Sequence, residues 1–167
     1  MELAKAYPLM RPGHAVLDLG SWPGGSLQVA LQLLEGRGLL VGIDLRKLDD
    51  LSSPILHLLE GDLGHPKIQE QLNALSPDGY DLVLSDMSPK LTGIREADRA
   101  ATAACSELAI TAARAGLKPG GAMVIKVFKS PESDQFVKTL RPLFNRVSRE
   151  ELDSSRNTSN EYYLVCL

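Results

Sequence analysis

The chain has 167 residues, 44% of them hydrophobic and 23% charged, the size and mixture expected of one globular domain over 1–167. Its two cysteines, Cys105 and Cys166, are too few for a disulfide framework and lack the histidines of a zinc cluster, so no metal site is expected. No apolar run reaches the roughly 18 residues of a membrane span, and Met1–Arg11 lacks the basic-then-apolar order of a signal peptide. Secreted, fibrous and membrane classes are excluded, and a reduced, cytoplasmic domain is expected. The net charge of −3 hides an asymmetry, because residues 1–83 hold 6 basic against 11 acidic side chains and residues 84–167 hold 12 against 10. The basic positions of the second half, from Lys90 to Arg156, offer one positive face, although ordinary scatter explains the charge equally well.

In chain order, short apolar strands alternate with amphipathic helices. Ala15–Leu19 reads as a strand, Gly25–Glu35 as a helix, and Leu39–Ile43 and Ile55–Leu59 as two further strands. Lys67–Leu75 follows as a helix, Tyr80–Ser85 as a strand and Glu96–Gly116 as a long helix stopped by glycine. Ala122–Phe128 is the next strand, after a turn at Lys118-Pro119-Gly120-Gly121. Ser133–Phe144, opened by a Ser or Asp cap, is the last helix. Arg146–Glu151 and Glu161–Cys166 close the chain as a strand pair. The strands are nearly continuous in apolar character, as strands buried on both faces are. The fold class is therefore α/β, a doubly wound, Rossmann-like, seven-stranded and mostly parallel sheet with an antiparallel ending. Ligands of such sheets bind at the carboxyl ends of the strands, which directs attention to the residues there.

The first strand runs into Asp18-Leu19-Gly20-Ser21-Trp22-Pro23-Gly24-Gly25-Ser26. Such a glycine-rich turn lets a ligand approach the backbone, or is simply a tight turn, and Trp22 serves equally as a rim or a hydrophobic plug. Its spacing is neither that of a dinucleotide fingerprint nor that of a P-loop. Asp44 ends the second strand, placed either to accept hydrogen bonds from ribose hydroxyls or to cap a helix. Gly61-Asp62 follows the third strand, within reach of an adenine edge. With no phosphate-binding lysine beside them, these positions suit a nucleoside without phosphates, and S-adenosylmethionine is such a ligand. The fourth strand ends in Ser85-Asp86-Met87-Ser88-Pro89-Lys90. Lys126 lies inside the apolar fifth strand, where a charge is costly unless it has a partner or a task, and Asp86 is its natural counter-charge.

Asp18–Ser26, Ser85–Lys90, Lys118–Phe128 and Asp153–Tyr162 together resemble the FtsJ/RrmJ family of RNA 2′-O-ribose methyltransferases, in order and over nearly the whole chain. The resemblance implies S-adenosylmethionine as cofactor and RNA, most directly ribosomal RNA, as substrate. It also implies a Lys-Asp-Lys-Glu tetrad, of which Asp86, Lys126 and Glu161 are the aspartate, second lysine and glutamate. The cofactor positions it implies are Gly20, Gly24, Ser26, Asp44, Asp62 and Asp86, with Trp22 on the rim. Ser26 stands where the family frequently has Trp, so an altered rim is expected. Counting back from Arg11-Pro12-Gly13 places the family's first tetrad lysine two positions before Met1, and Lys5 about two helical turns too late. The resemblance thus implies a truncated N-terminal helix and a chain that binds the cofactor yet methylates RNA poorly.

Chemically, a ribose hydroxyl is a poor nucleophile until a base holds or removes its proton, and Lys126 is the expected base. Lys90, Arg95, Arg99, Lys129 and Arg156 are the expected phosphate contacts on RNA. A monomer without membrane attachment is expected. A methyltransferase for small molecules or proteins, or a catalytically weak RNA-binding relative, are the alternatives.

Overall fold

The computed structural model describes residues 3, 6–90, 92–152 and 160–167. Seven strands, β1 (Ala15–Leu19), β2 (Leu39–Asp44), β3 (Leu56–Glu60), β4 (Tyr80–Ser85), β5 (Leu117–Phe128), β6 (Val147–Glu150) and β7 (Glu161–Cys166), form one sheet in the order β3-β2-β1-β4-β5-β7-β6. The first five pair in parallel, while β7 inserts antiparallel between β5 and β6. Among the described residues four helices connect them: α1 (Gly25–Leu34), α2 (Pro66–Leu75), α3 (Arg95–Gly116) and α4 (Pro131–Leu140).

Alternate strand residues face opposite layers. Leu17, Leu19, Val41, Val83, Met123 and Ile125 pack with Ile68 and Leu72 of α2, Ala109 and Ala112 of α3, and Val137 and Leu140 of α4. Val16, Leu40, Leu82, Val124 and Val165 pack with Leu27, Ala30 and Leu34 of α1, with Tyr7, Leu9 and Met10 against that cluster. Because both sheet faces are covered, the central strands need apolar residues at consecutive positions, which is the pattern visible in the sequence.

Several boundaries shift from the sequence reading, among them the end of α4 at Leu140 rather than Phe144, and two of the shifts have a clear physical reason. The segment Lys118–Gly121, expected as a turn, belongs to β5: Leu117 pairs with Tyr80, the register then slips, and pairing resumes at Leu82 with Ala122. The strand edge absorbs the glycines as a bulge. Its base is anchored by Lys118, whose Nζ lies 2.9 Å from Asp81 Oδ2, an oxygen that also accepts the Ala15 N–H at 2.7 Å. Helix α4 starts at Pro131 rather than Ser133, because Ser130 is the cap. Its hydroxyl accepts the Ser133 N–H while the Ser133 hydroxyl accepts the Ser130 N–H, a reciprocal capping box with proline in the first turn.

Candidate active site

The chain crosses from β3 back to β4 on the other side of β1, so the strand order switches between β1 and β4 and leaves a crevice at their carboxyl ends. Gly20, with φ of 80°, opens the β1 turn, and a Cβ there would meet Met87 Cα at 2.9 Å. The Asp86 N–H donates to the Leu19 carbonyl at 3.0 Å, locking the β1 and β4 ends together. Gly24, φ 104°, is the N-cap of α1 and supplies no side-chain cap, so the first N–H groups of that helix are left for water or a ligand.

Asp44 binds both flanking turns: Oδ2 accepts the Trp22 N–H at 3.0 Å and Oδ1 the Arg46 N–H at 2.9 Å. Each oxygen retains a second lone pair for another donor. The exposed Trp22 ring lies beneath the Arg46 guanidinium, 4.4 Å from its centroid, a cation–π stack beside that carboxylate. Asp62 accepts the Gly64 N–H at 2.8 Å and thereby shapes the turn into α2. At 47% exposure the Trp22 ring is not a buried hydrophobic plug.

Asp18 is a residue that the sequence reading passed over. It is fully buried, Oδ2 accepts the Ser26 hydroxyl at 2.5 Å, and Oδ1 has no partner. Burial pushes its carboxyl up to about 7, Ser26 works against that, and the Asp86 and Asp44 charges add to it. Asp18, Ser26, Ser85, Asp86 and Tyr163 line one cavity of about 380 Å³ with Leu84 and Val124. Ser26, the departure from the family pattern, thus holds the buried carboxyl beside this cavity. The signal for Asp18 was present: a charge inside AVLDL carries the same burial cost that singled out Lys126.

At the β4–β5 side, Lys126 Nζ lies 2.8 Å from Asp86 Oδ1 and donates to the Asp86 carbonyl at 3.1 Å. The lysine side chain is 10% exposed and the aspartate 50%, so the pair sits at the mouth of the crevice with its cation inward. Tyr163 donates its hydroxyl to the same Oδ1 at 3.3 Å. Burial raises the Tyr163 pKa well above the usual tyrosine value, and the Asp86 and Glu161 charges push the same way. Tyr163 was also missed; its position opposite Lys126 appears only when β7 pairs with β5. Glu161 pairs with Phe128 in that register, two residues along β7 on the same side of the sheet as Tyr163.

The crevice therefore brings together Asp86 and Lys126, with Glu161 on the adjoining strand. Gly20, Trp22, Gly24, Ser26, Asp44 and Asp62 stand along its β1–β3 side. Arg95 and Arg99 occupy the first turns of α3, Lys90 precedes it exposed, and Lys129 follows β5 and pairs with Glu151 at 2.7 Å. Lys5 and Arg156 lie outside the described residues. Among the described residues no helix is long and apolar enough to cross a membrane.

The same fold recurs in known proteins. The crystal structure of a putative ribosomal RNA methyltransferase from Plasmodium falciparum superposes with a TM-score of 0.85 at 24% identity, covering 99% of this chain and 91% of that one. Aeropyrum pernix fibrillarin, solved with natively bound S-adenosyl-L-methionine, shares the fold at a TM-score of 0.66 and 15% identity, over 96% of this chain and 68% of that one. In sequence, the ribosomal RNA large subunit methyltransferase E of Desulfatibacillum aliphaticivorans is 38% identical over 164 residues, 98% of this chain and 78% of the relative. That of Coxiella burnetii is 36% identical over 170 residues, 99% and 79% respectively. The family model described as FtsJ-like methyltransferase matches residues 1–167. With the whole length matched and the strand-end residues in their expected order, the chain belongs to the FtsJ-like methyltransferase family.

Proposed function

We propose that this protein methylates a ribose 2′-hydroxyl of ribosomal RNA with S-adenosylmethionine as donor. The observation that carries the reading is the Lys126–Asp86 ion pair at the strand ends, 2.8 Å long and beside the β1 turn. The cofactor, when bound, supplies a methyl group already activated on a sulfonium. The crevice fits such a ligand in charge and shape. Asp18 and Asp86 line the cavity, and Asp44 and Asp62 offer acceptors to ribose and adenine. Gly20 and Gly24 allow the positive φ and the close packing on Met87 and Leu51 that shape the turn, which leads into the uncapped N-terminus of α1.

Lys126, once its ammonium has released a proton to solvent, takes the proton of the acceptor hydroxyl as a neutral amine. Asp86 holds the lysine by its carboxylate and its carbonyl, so the amine points one way. Tyr163 braces that carboxylate through the same Oδ1, and Glu161 positions the ribose. Such placement of base and acceptor is the main thing a protein adds to an already activated donor. Lys90, Arg95, Arg99 and Lys129 hold phosphates of the RNA. The protein acts as a monomer in the cytoplasm.

The test follows labelled methyl transfer to separated RNA, protein and small-molecule fractions. Lys126→Ala should lower transfer to RNA by about 10²–10⁴-fold while cofactor affinity stays within a few-fold. A Lys126→Ala protein that methylates RNA at the unaltered rate, or label appearing in the protein or small-molecule fraction, defeats the reading.

A further inference from the structure

Between α3 and α4 runs a groove of about 820 Å³, on the sheet face away from α1. Thr102, Ser106 and Phe128 line it and also line the small crevice that reaches Lys126, so the groove leads away from the proposed base. Arg95, Arg99 and Arg114 border it. At about 100° per residue Arg99 lies about 40° and Arg114 about 100° round α3 from Arg95, so the three form a broad stripe that winds along the groove wall. From Arg95 to Arg114 the stripe is about 28 Å long at 1.5 Å per residue, the reach of several nucleotides.

Two of the acids that line the groove, Asp98 and Glu132, are engaged at helix starts. Asp98 spends its carboxylate on the N–H groups of Thr92 and Gly93, at 2.7 and 3.0 Å, and on the Thr92 hydroxyl. Glu132 accepts its own N–H and the Ser130 hydroxyl at the start of α4, with Arg99 3.9 Å away. Arg95 and Arg114 make no ion pair among the described residues. Glu107 stays as an opposing charge midway. Phe128 and Phe136, both half-buried, add apolar ring surface along the β5–α4 wall, which suits the faces of unstacked bases.

We infer that this groove is the track for an unpaired RNA strand flanking the methylated nucleotide, with Arg95, Arg99 and Arg114 holding its phosphates. The inference rests on the RNA reading proposed above. A duplex presents its phosphates on two strands around a rigid cylinder, whereas a cleft between two helices with ring surface inside admits one strand with its bases turned in.

The test measures equilibrium binding of a fluorescent single-stranded RNA and of the same RNA annealed to its complement, across a salt series. Arg114→Glu should weaken binding of the single strand about tenfold and lower the magnitude of the salt slope by roughly one. Ala103→Lys, which adds a cation on the exposed lining of α3, should tighten it several-fold. Lys138→Glu makes the same charge change on α4 outside the groove and should move affinity less than twofold. Equal losses in Arg114→Glu and Lys138→Glu, no change in either, or a duplex bound as tightly as the single strand each overturn the inference. Those outcomes in a protein that still transfers methyl groups to RNA leave the proposed function standing; a protein that labels no RNA removes that function itself.

Discussion

Asp18 gives the protein a measurable pH signature. Its carboxyl is pushed to about 7 from the ordinary 3.8 by burial, with Asp86 and Asp44 adding to the shift. A shift of about 3 units is worth about 4 kcal/mol, at 1.36 kcal/mol per unit. The sign follows from proton counts. Between pH 4 and 7 the folded state keeps a proton on Asp18 that the unfolded chain has released. Stability from this group is therefore complete below the unfolded value and is lost as pH rises through 7, by about 1.4 kcal/mol per pH unit. Asp81, Asp98 and Glu132, all shifted downwards, titrate below this window. Asp18→Asn stays neutral at every pH, keeps the shape, and still offers an oxygen to the Ser26 hydroxyl. From pH 5 to pH 8 the ligand-free protein should lose about 2–3 kcal/mol relative to Asp18→Asn, moving the urea midpoint by on the order of 1 M. Urea unfolding followed by circular dichroism at pH 5, 6.5 and 8 reads the difference. Parallel pH profiles for the two proteins would refute the assignment of a neutral buried acid.

Other expectations concern single contacts. Tyr163→Phe removes one of the donors on Asp86 Oδ1 and should lower methyl transfer roughly tenfold, the value of a hydrogen bond to a charged group, chiefly in kcat; unchanged kinetics would show that Lys126 needs no such brace. Trp22 is the one tryptophan of the chain, so its emission reports the Arg46 stack directly. Adding S-adenosylmethionine should change that emission saturably, Arg46→Ala should change it without cofactor, and a flat titration in a protein that binds the cofactor by calorimetry would place the ring off the rim. Ser130→Ala should cost about 1 kcal/mol through loss of the α4 cap, seen as a lower unfolding midpoint with the amplitude of helix signal preserved.

Much of this protein is written along the chain itself. Consecutive apolar residues in AVLDL, LLVGI and YDLVLS require strands covered on both faces, and helical spacing between them requires crossovers, so the doubly wound sheet is legible before any coordinates. Glycines at 20 and 24, acids at 44, 62 and 86, and a lysine inside VIKVF stand out because each is locally costly or permissive. What the sequence leaves open is decided by pairing at a distance. Whether LKPGG is a turn or strand depends on the register with β4, which tolerates a slip after Tyr80. The cap of α4 is settled by which serine can exchange hydrogen bonds with the other. Tyr163 becomes a partner of Asp86 only because β7 inserts beside β5 and sets it opposite Lys126. Asp18 becomes a neutral acid only because α1 and the ends of β2 and β4 close over it and bring Asp44 and Asp86 near. Local patterning specifies elements through backbone preference and burial, but charge states and partners depend on long-range packing, which places residues from distant parts of the chain in one low-dielectric space.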